Sequence, residues 1–151
     1  SYIAGYMTMN DVSARDVQMA EGQALFYRVH FPGKSFDTFC PTGPALVTLD
    51  EFPAKRVMKM RTTVNGKVRQ DADTADFIFT VERVISHVSQ IMTLQPGDIV
   101  SMGSPAGVIL ADPKPVYLKA GDVVRCEIEG IGCVENRVKA DTVKVPAFKM
   151  G

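Results

Sequence analysis

A carboxylate, a guanidinium and an amide stand at Asp11, Arg15 and Gln18, inside the segment Asn10-Asp11-Val12-Ser13-Ala14-Arg15-Asp16-Val17-Gln18. Arg15 follows Asp11 by four residues and Gln18 follows Arg15 by three, so a helix beginning here lines the three side chains along one face. Such a set suits an acidic ligand held beside a cation. The guanidinium offers a planar fork to a carboxylate, and the amide bonds as donor or acceptor. Plainer roles compete with this one: Asp is a favoured turn and cap residue, and Arg15 on an exposed helix face would pair with Asp16 or Glu21.

Two other places carry reactive groups. Lys34 follows Phe31-Pro32-Gly33, and Gly33-Lys34-Ser35 invites comparison with a phosphate loop. The comparison fails, because that loop needs a glycine where Arg28 stands and Pro32 interrupts the run of backbone donors. A lone lysine is otherwise a solvated one. Gly103-Ser104-Pro105-Ala106-Gly107 follows the apolar run Ile99-Val100-Ser101-Met102 and would set a hydroxyl, and backbone open to close approach, at a strand end. Turns of this composition are common, however. Neither His30 nor His87 has a Ser or Cys at catalytic-motif spacing.

The elements that must position these groups follow from periodicity and turn chemistry. Residues 2 to 12 mix apolar and small polar types, as a strand with one buried face does. Ser13-Ala14-Arg15-Asp16 has the form of a capping box, which predicts a short helix to about Glu21. Residues 22 to 44, with three glycines and three prolines, read as a long ordered loop. Ala45–Leu49 reads as a strand. Met58, Met60, Thr62 and Val64 alternate with polar residues up to Asn65-Gly66, a strong hairpin signal. Val81, Val84, Ile85, Val88 and Ile91 keep helical spacing behind Thr80 as N-cap, predicting a helix laid on a sheet. Gly97-Asp98 and Gly121-Asp122 each read as a turn that launches a strand. Alternation in 124–129 adds a further half-buried hairpin. Many strands with one or two helices make a β-rich α+β domain.

Composition narrows the partners. The 151 residues suit one domain, and 17 basic against 17 acidic side chains leave no field to gather phosphate backbones or anionic lipid. Neither nucleic acid nor membrane is an expected partner, and no apolar run approaches the roughly 20 residues of a membrane span. Cys40, Cys126 and Cys133 lack C-x-x-C spacing, which argues against a disulfide framework or a zinc site and for a reducing compartment. The expected location is cytoplasmic, with the mitochondrial matrix as the alternative.

The chain resembles the fumarylacetoacetate hydrolase family through a series of blocks in the family's order. These are Asn10-Asp11-Val12-Ser13-Ala14-Arg15-Asp16-Val17-Gln18, Lys34-Ser35-Phe36-Asp37-Thr38-Phe39-Cys40-Pro41-Thr42-Gly43-Pro44, Val64-Asn65-Gly66, Gln95-Pro96-Gly97-Asp98 and Gly103-Ser104-Pro105-Ala106-Gly107-Val108. The first two are the specific ones. The look is closest to the small domain-containing relatives and to bacterial dioate isomerase-like members. The resemblance implies a mixed β-sandwich or roll with a few short helices, a homodimer, and a catalytic core over residues 1–151 that is incomplete on its N-terminal side.

It also implies a chemistry. In the family a divalent ion, usually Mg²⁺ and sometimes Mn²⁺ or Ca²⁺, is held by a Glu-x-Glu pair and one aspartate. Asp11 resembles that aspartate, while the pair and a lid carrying a catalytic His and Glu are expected upstream of Ser1. Arg15, Gln18 and Lys34 resemble substrate-contacting residues, with Arg15 and Lys34 in catalytic roles. Ser104 stands where Gly-Thr-Pro usually supplies a hydroxyl, and the stretch between Gln18 and Lys34 is longer than is usual. The implied substrate is a 2-oxo or acylpyruvate-type acid, transformed by C–C hydrolysis, decarboxylation or keto–enol isomerisation through a metal-stabilised enolate. The alternative is a non-catalytic binding or assembly module of the same fold, lacking a complete metal site.

Overall fold

A computed structural model describes residues 2–18, 31–52, 57–109 and 112–141. Its strands are β1 (Gly5–Met9), β2 (Thr42–Thr48), β3 (Lys59–Val64), β4 (Lys67–Asp73), β5 (Val123–Ile128) and β6 (Gly132–Arg137). The α-helices are α1 (Arg15–Gln18) and α2 (Val81–Ile91), and short 3-10 turns cover Pro32–Lys34 and Thr74–Asp76. This is the expected β-rich α+β domain. Where the family resemblance implied mixed sheets, every pairing among the described residues is antiparallel.

Strands β1 and β2 form one sheet, and the second runs in the order β4-β3-β5-β6. Thr8 joins them. Its side chain is 1 % exposed and its hydroxyl donates to the Gly132 carbonyl at 2.9 Å, while Pro44 of β2 packs against Gly132, where an added Cβ would lie 3.0 Å from the proline ring. Among the described residues, the buried apolar side chains are Met58, Val124, Cys126, Ile131 and Val134. Cys126 pairs with Val134 and Cys133 with Glu127, so the two cysteines face opposite sides of the β5–β6 ribbon. All three cysteines are free thiols.

The β3–β4 hairpin forms where Asn65-Gly66 predicts it, both residues having positive φ (50° and 76°) as a two-residue turn of this hand requires. That turn is also a clamp. The Asn65 amide donates to Asp122 Oδ1 at 2.9 Å, its Oδ1 accepts from the Val123 N–H at 2.9 Å, and the Lys119 N–H donates to Asp122 Oδ2 at 3.0 Å. These bonds, the Asn65 amide first and the Lys119 N–H second, hold the Asp122 carboxyl below its ordinary range. A depressed folded-state value contributes stability above the unfolded-state value, about 3.9 for Asp, and loses it as pH falls through the lower folded value. Asp122→Ala is therefore expected to destabilise at neutral pH, with the gap to wild type narrowing below about pH 4. Urea titrations from pH 7 to pH 3 check this, and a gap constant across that range would contradict it.

Several sequence expectations need correction. Thr80 caps α2 as predicted, its Oγ1 accepting from the Arg83 N–H at 3.3 Å. The helix does not bury its apolar stripe in the sheet, however: Val81, Val84, Ile85 and Val88 are half-buried, Ile91 is 69 % exposed, and no residue of the helix is buried. The Gly97-Asp98 turn forms, with the Gln95 N–H donating to Asp98 Oδ2 at 2.7 Å, but 99–102 is not a strand. A strand needs a neighbour for its ladder, and the apolar pattern there says nothing of one. Strand β2 starts at Thr42, so the expected loop ends earlier; its residues 22–30, His30 included, lie outside the described residues. Residues 19–21 of the predicted helix lie outside them as well.

Candidate active site

The site forms where β1 ends. The Asn10 N–H donates to the Pro41 carbonyl at 3.0 Å, which fixes the exit of β1 against the start of β2. The chain then turns, with the Val12 N–H on the Asn10 carbonyl (3.0 Å) and the Ser13 hydroxyl donating back to the Asp11 carbonyl at 3.3 Å. The capping-box pattern makes Ser13 the helix cap; in the fold its hydroxyl instead tightens the turn that presents Asp11. The Ala14 N–H, just before α1, donates to the Gly33 carbonyl at 2.8 Å, docking α1 on the Pro32–Lys34 turn.

That docking brings together groups 23 residues apart in the chain: the Lys34 ammonium donates to Asp11 Oδ2. Both side chains stay partly open, 34 % and 28 % exposed, so the pair is reachable by a ligand. One turn along, Arg15 Nη1 donates to Gln18 Oε1 at 2.5 Å. Arg15 Nε is buried and has no hydrogen-bond partner among the described residues. An unpaired buried donor on a cation is costly.

Asp11, Arg15, Lys34 and Ser104 all line one cavity of about 1830 Å³, while Gln18, 2 % exposed, does not. A cavity well beyond the roughly 300–1,000 Å³ of a small-molecule pocket does not define a ligand by its outline. The polar side chains have to do that. Ser104 sits on a loop tied to β4 in two ways that the sequence did not announce. Gln70 Nε2 donates to the Pro105 carbonyl at 2.9 Å, and Gly107, with φ 96°, approaches so closely that a Cβ would lie 2.2 Å from the Arg69 carbonyl oxygen. Cys126 also lines the cavity, but burial pushes its thiol up, against the low value a nucleophilic cysteine needs. His87 is exposed on α2 and does not line the cavity.

A divalent cation finds little here. No three His, Cys, Asp or Glu side chains cluster as a ligand set among the described residues, and the Asp11 carboxylate already faces the Lys34 ammonium. A hard cation takes six or more oxygens, so the described residues by themselves do not fit Mg²⁺. They fit an anion: a guanidinium and an ammonium line the cavity, and the Asp11 carboxylate, paired with Lys34, balances part of their charge.

The fumarylacetoacetate (FAA) hydrolase C-terminal family matches residues 1–139. The chain belongs to the fumarylacetoacetate hydrolase family. Among its relatives, a mitochondrial oxaloacetate tautomerase of Rattus norvegicus is 46% identical over 138 residues, covering 91% of this chain and 42% of that protein. The solved fumarylacetoacetate hydrolase of Exiguobacterium antarcticum superposes with a TM-score of 0.80 at 44% identity, over 91% of this chain and 47% of that one. A probable 2-hydroxyhepta-2,4-diene-1,7-dioate isomerase of Mycobacterium abscessus gives 0.82 at 35% identity, over 93% and 51%. The chain thus spans about half the length of the family members it matches, and it shares their fold.

Proposed function

We propose that the protein is an enzyme acting on 2-oxo or acylpyruvate-type acids, and that keto–enol isomerisation is its reaction, with C–C hydrolysis or decarboxylation as the family's alternatives. The observation that carries this reading is the convergence of Arg15, Lys34 and Asp11 on one cavity in a chain whose relatives bear tautomerase, isomerase and hydrolase names. Arg15 takes the 1-carboxylate of the substrate through its forked N–H donors. Lys34 sets its ammonium beside the 2-oxo oxygen, where negative charge grows as the enolate forms. Asp11 orients that ammonium, and the Ser104 hydroxyl donates to a second substrate oxygen.

A divalent cation belongs to the proposal, Mg²⁺ first and Mn²⁺ or Ca²⁺ as substitutes, with Asp11 as one ligand and the other oxygens supplied from outside the described residues. Metal-stabilised enolate chemistry is what such an ion supplies when bound. The chain is further proposed to work as a homodimer, which the exposed Ile78, Phe79, Ile91 and Met92 support; sedimentation at twice the subunit mass is the expected result. A mitochondrial location, with the matrix rather than the cytoplasm as the compartment, is proposed because the rat relative's name gives it as mitochondrial, and no helix of the described residues is long and apolar enough to cross a membrane.

Ultraviolet absorbance of a 2-oxo acid's enol form tests the function directly. The full-length protein is expected to speed the enol's decay to the keto form, to lose that activity on chelation and to regain it with Mg²⁺. Decay at the buffer rate, with no cleavage or decarboxylation product, would contradict the reading and favour a non-catalytic module.

A further inference from the structure

Counted from the Asn65-Gly66 turn, β3 and β4 pair Val64 with Lys67 and Thr63 with Val68, so an unbroken ladder would set Arg69 opposite Thr62. The ladder breaks there, and Gln70 takes that place. Arg69 is thus the extra residue of a β-bulge, which shifts every side chain after it by one position and so to the other face. On the far side of β3, Thr62 pairs with the buried Cys126, and Gln70, Thr62 and Cys126 all line the cavity. The bulge therefore sets a neutral amide, in place of a guanidinium, in that row. Gln70 Nε2 donates to the Pro105 carbonyl at 2.9 Å, one residue beyond Ser104. Gly107, with φ 96°, lies so near the bulge that a Cβ on it would stand 2.2 Å from the Arg69 carbonyl oxygen and 3.2 Å from Gln70 Cγ. We infer that Gln70, aimed by the bulge at Arg69, is a positioning residue that holds the Ser104 hydroxyl in place for a substrate oxygen and does not itself touch the substrate.

The inference rests on Ser104 being the hydroxyl donor proposed above. Its physical basis is that no strand carries Ser104, so no ladder fixes the loop. Among the described residues, 103–107 are held by one local bond, from the Gly103 N–H to Ser101 Oγ at 3.3 Å, and by the bond from Gln70. A donor displaced by about 1 Å can forfeit on the order of a hundredfold in rate, so the bond that ties the loop to a strand matters to the chemistry. Gly107 belongs to the same device, because any side chain there pushes the loop off the bulge and strains a backbone at positive φ.

Two readouts on the full-length protein test this: amide hydrogen exchange across 103–108, and kcat/KM on a 2-oxo acid. Gln70→Leu is expected to speed exchange in that loop by about tenfold and to leave Val123–Ile128 as protected as in the wild type, which separates a loosened loop from an unfolded domain. It should lower kcat/KM by about tenfold while Ser104 is present and by less than about twofold in the Ser104→Ala background, the mark of coupled residues. Gln70→Glu, which keeps the length and sets an acceptor where a donor is needed, is measured in the same two backgrounds should the Leu variant fail to fold, and the same pattern is expected. Equal losses in both backgrounds would mean that Gln70 meets the substrate itself, and unchanged loop exchange would mean that it holds nothing; both overturn the inference. Ser104→Ala that turns over as fast as the wild type would remove Ser104 from the substrate and overturn the inference through the reading beneath it, a failure distinct from a loop that does not loosen.

Discussion

Asp11→Ala is expected to lower kcat/KM on a 2-oxo acid by about three orders of magnitude, because it releases the Lys34 ammonium that Asp11 orients, and a preorganised donor at a developing oxyanion acts on that scale. That is about 4 kcal/mol of transition-state stabilisation. The melting temperature should hardly move, since a partly exposed ion pair such as Lys34–Asp11 contributes only about 0–1 kcal/mol to stability. The difference between those two magnitudes separates a catalytic role from a structural one. Lys34→Met should cause a loss of the same order, and the double variant should be no worse than the poorer single one, because groups that act as a unit do not add. Steady-state kinetics of the three variants, with thermal melts as controls, check this. Multiplying losses in the double variant would show that Asp11 and Lys34 work apart.

Arg15→Lys is the second large effect. A planar fork can bond a carboxylate and the Gln18 amide at once, whereas an ammonium is a point charge that must divide itself between them. Hydrogen bonds to charged groups contribute about 1.5–3 kcal/mol, which corresponds to a rise in KM of about 10- to 150-fold. With kcat nearly unchanged, that pattern reports binding shared by ground state and transition state. A fall in kcat at constant KM would place Arg15 at the reacting atoms rather than at the carboxylate.

What the sequence disclosed follows from how local each requirement is. Asn65-Gly66 announced its hairpin because positive φ is a property of the two residues themselves. Thr80 announced the start of α2 through a bond that spans three positions. The run Ile99–Met102 misled because a strand depends on a neighbour that its own residues do not encode. The stripe of α2 was legible as apolar, yet what covers it was not. At the candidate site, i,i+3 spacing placed Arg15 and Gln18 on one helix face, and in the fold Arg15 donates to Gln18 there, a contact the spacing did not specify. The burial of Gln18 was invisible, since it depends on Gly33 arriving from another part of the chain. Lys34 and Asp11 were joined by family resemblance and not by spacing, and Gln70, which holds the Ser104 loop through Pro105, gave no signal at all.

The proposed function depends on one cavity that a guanidinium and an ammonium both line, the two groups proposed to take the carboxylate and oxo group of one small acid. A crystal structure of the full-length protein with oxalate tests that most directly: oxygens of the ligand should lie about 3 Å from nitrogens of both Arg15 and Lys34. Oxalate lodged elsewhere, with the Asp11 and Lys34 side chains turned away from the cavity, would contradict it.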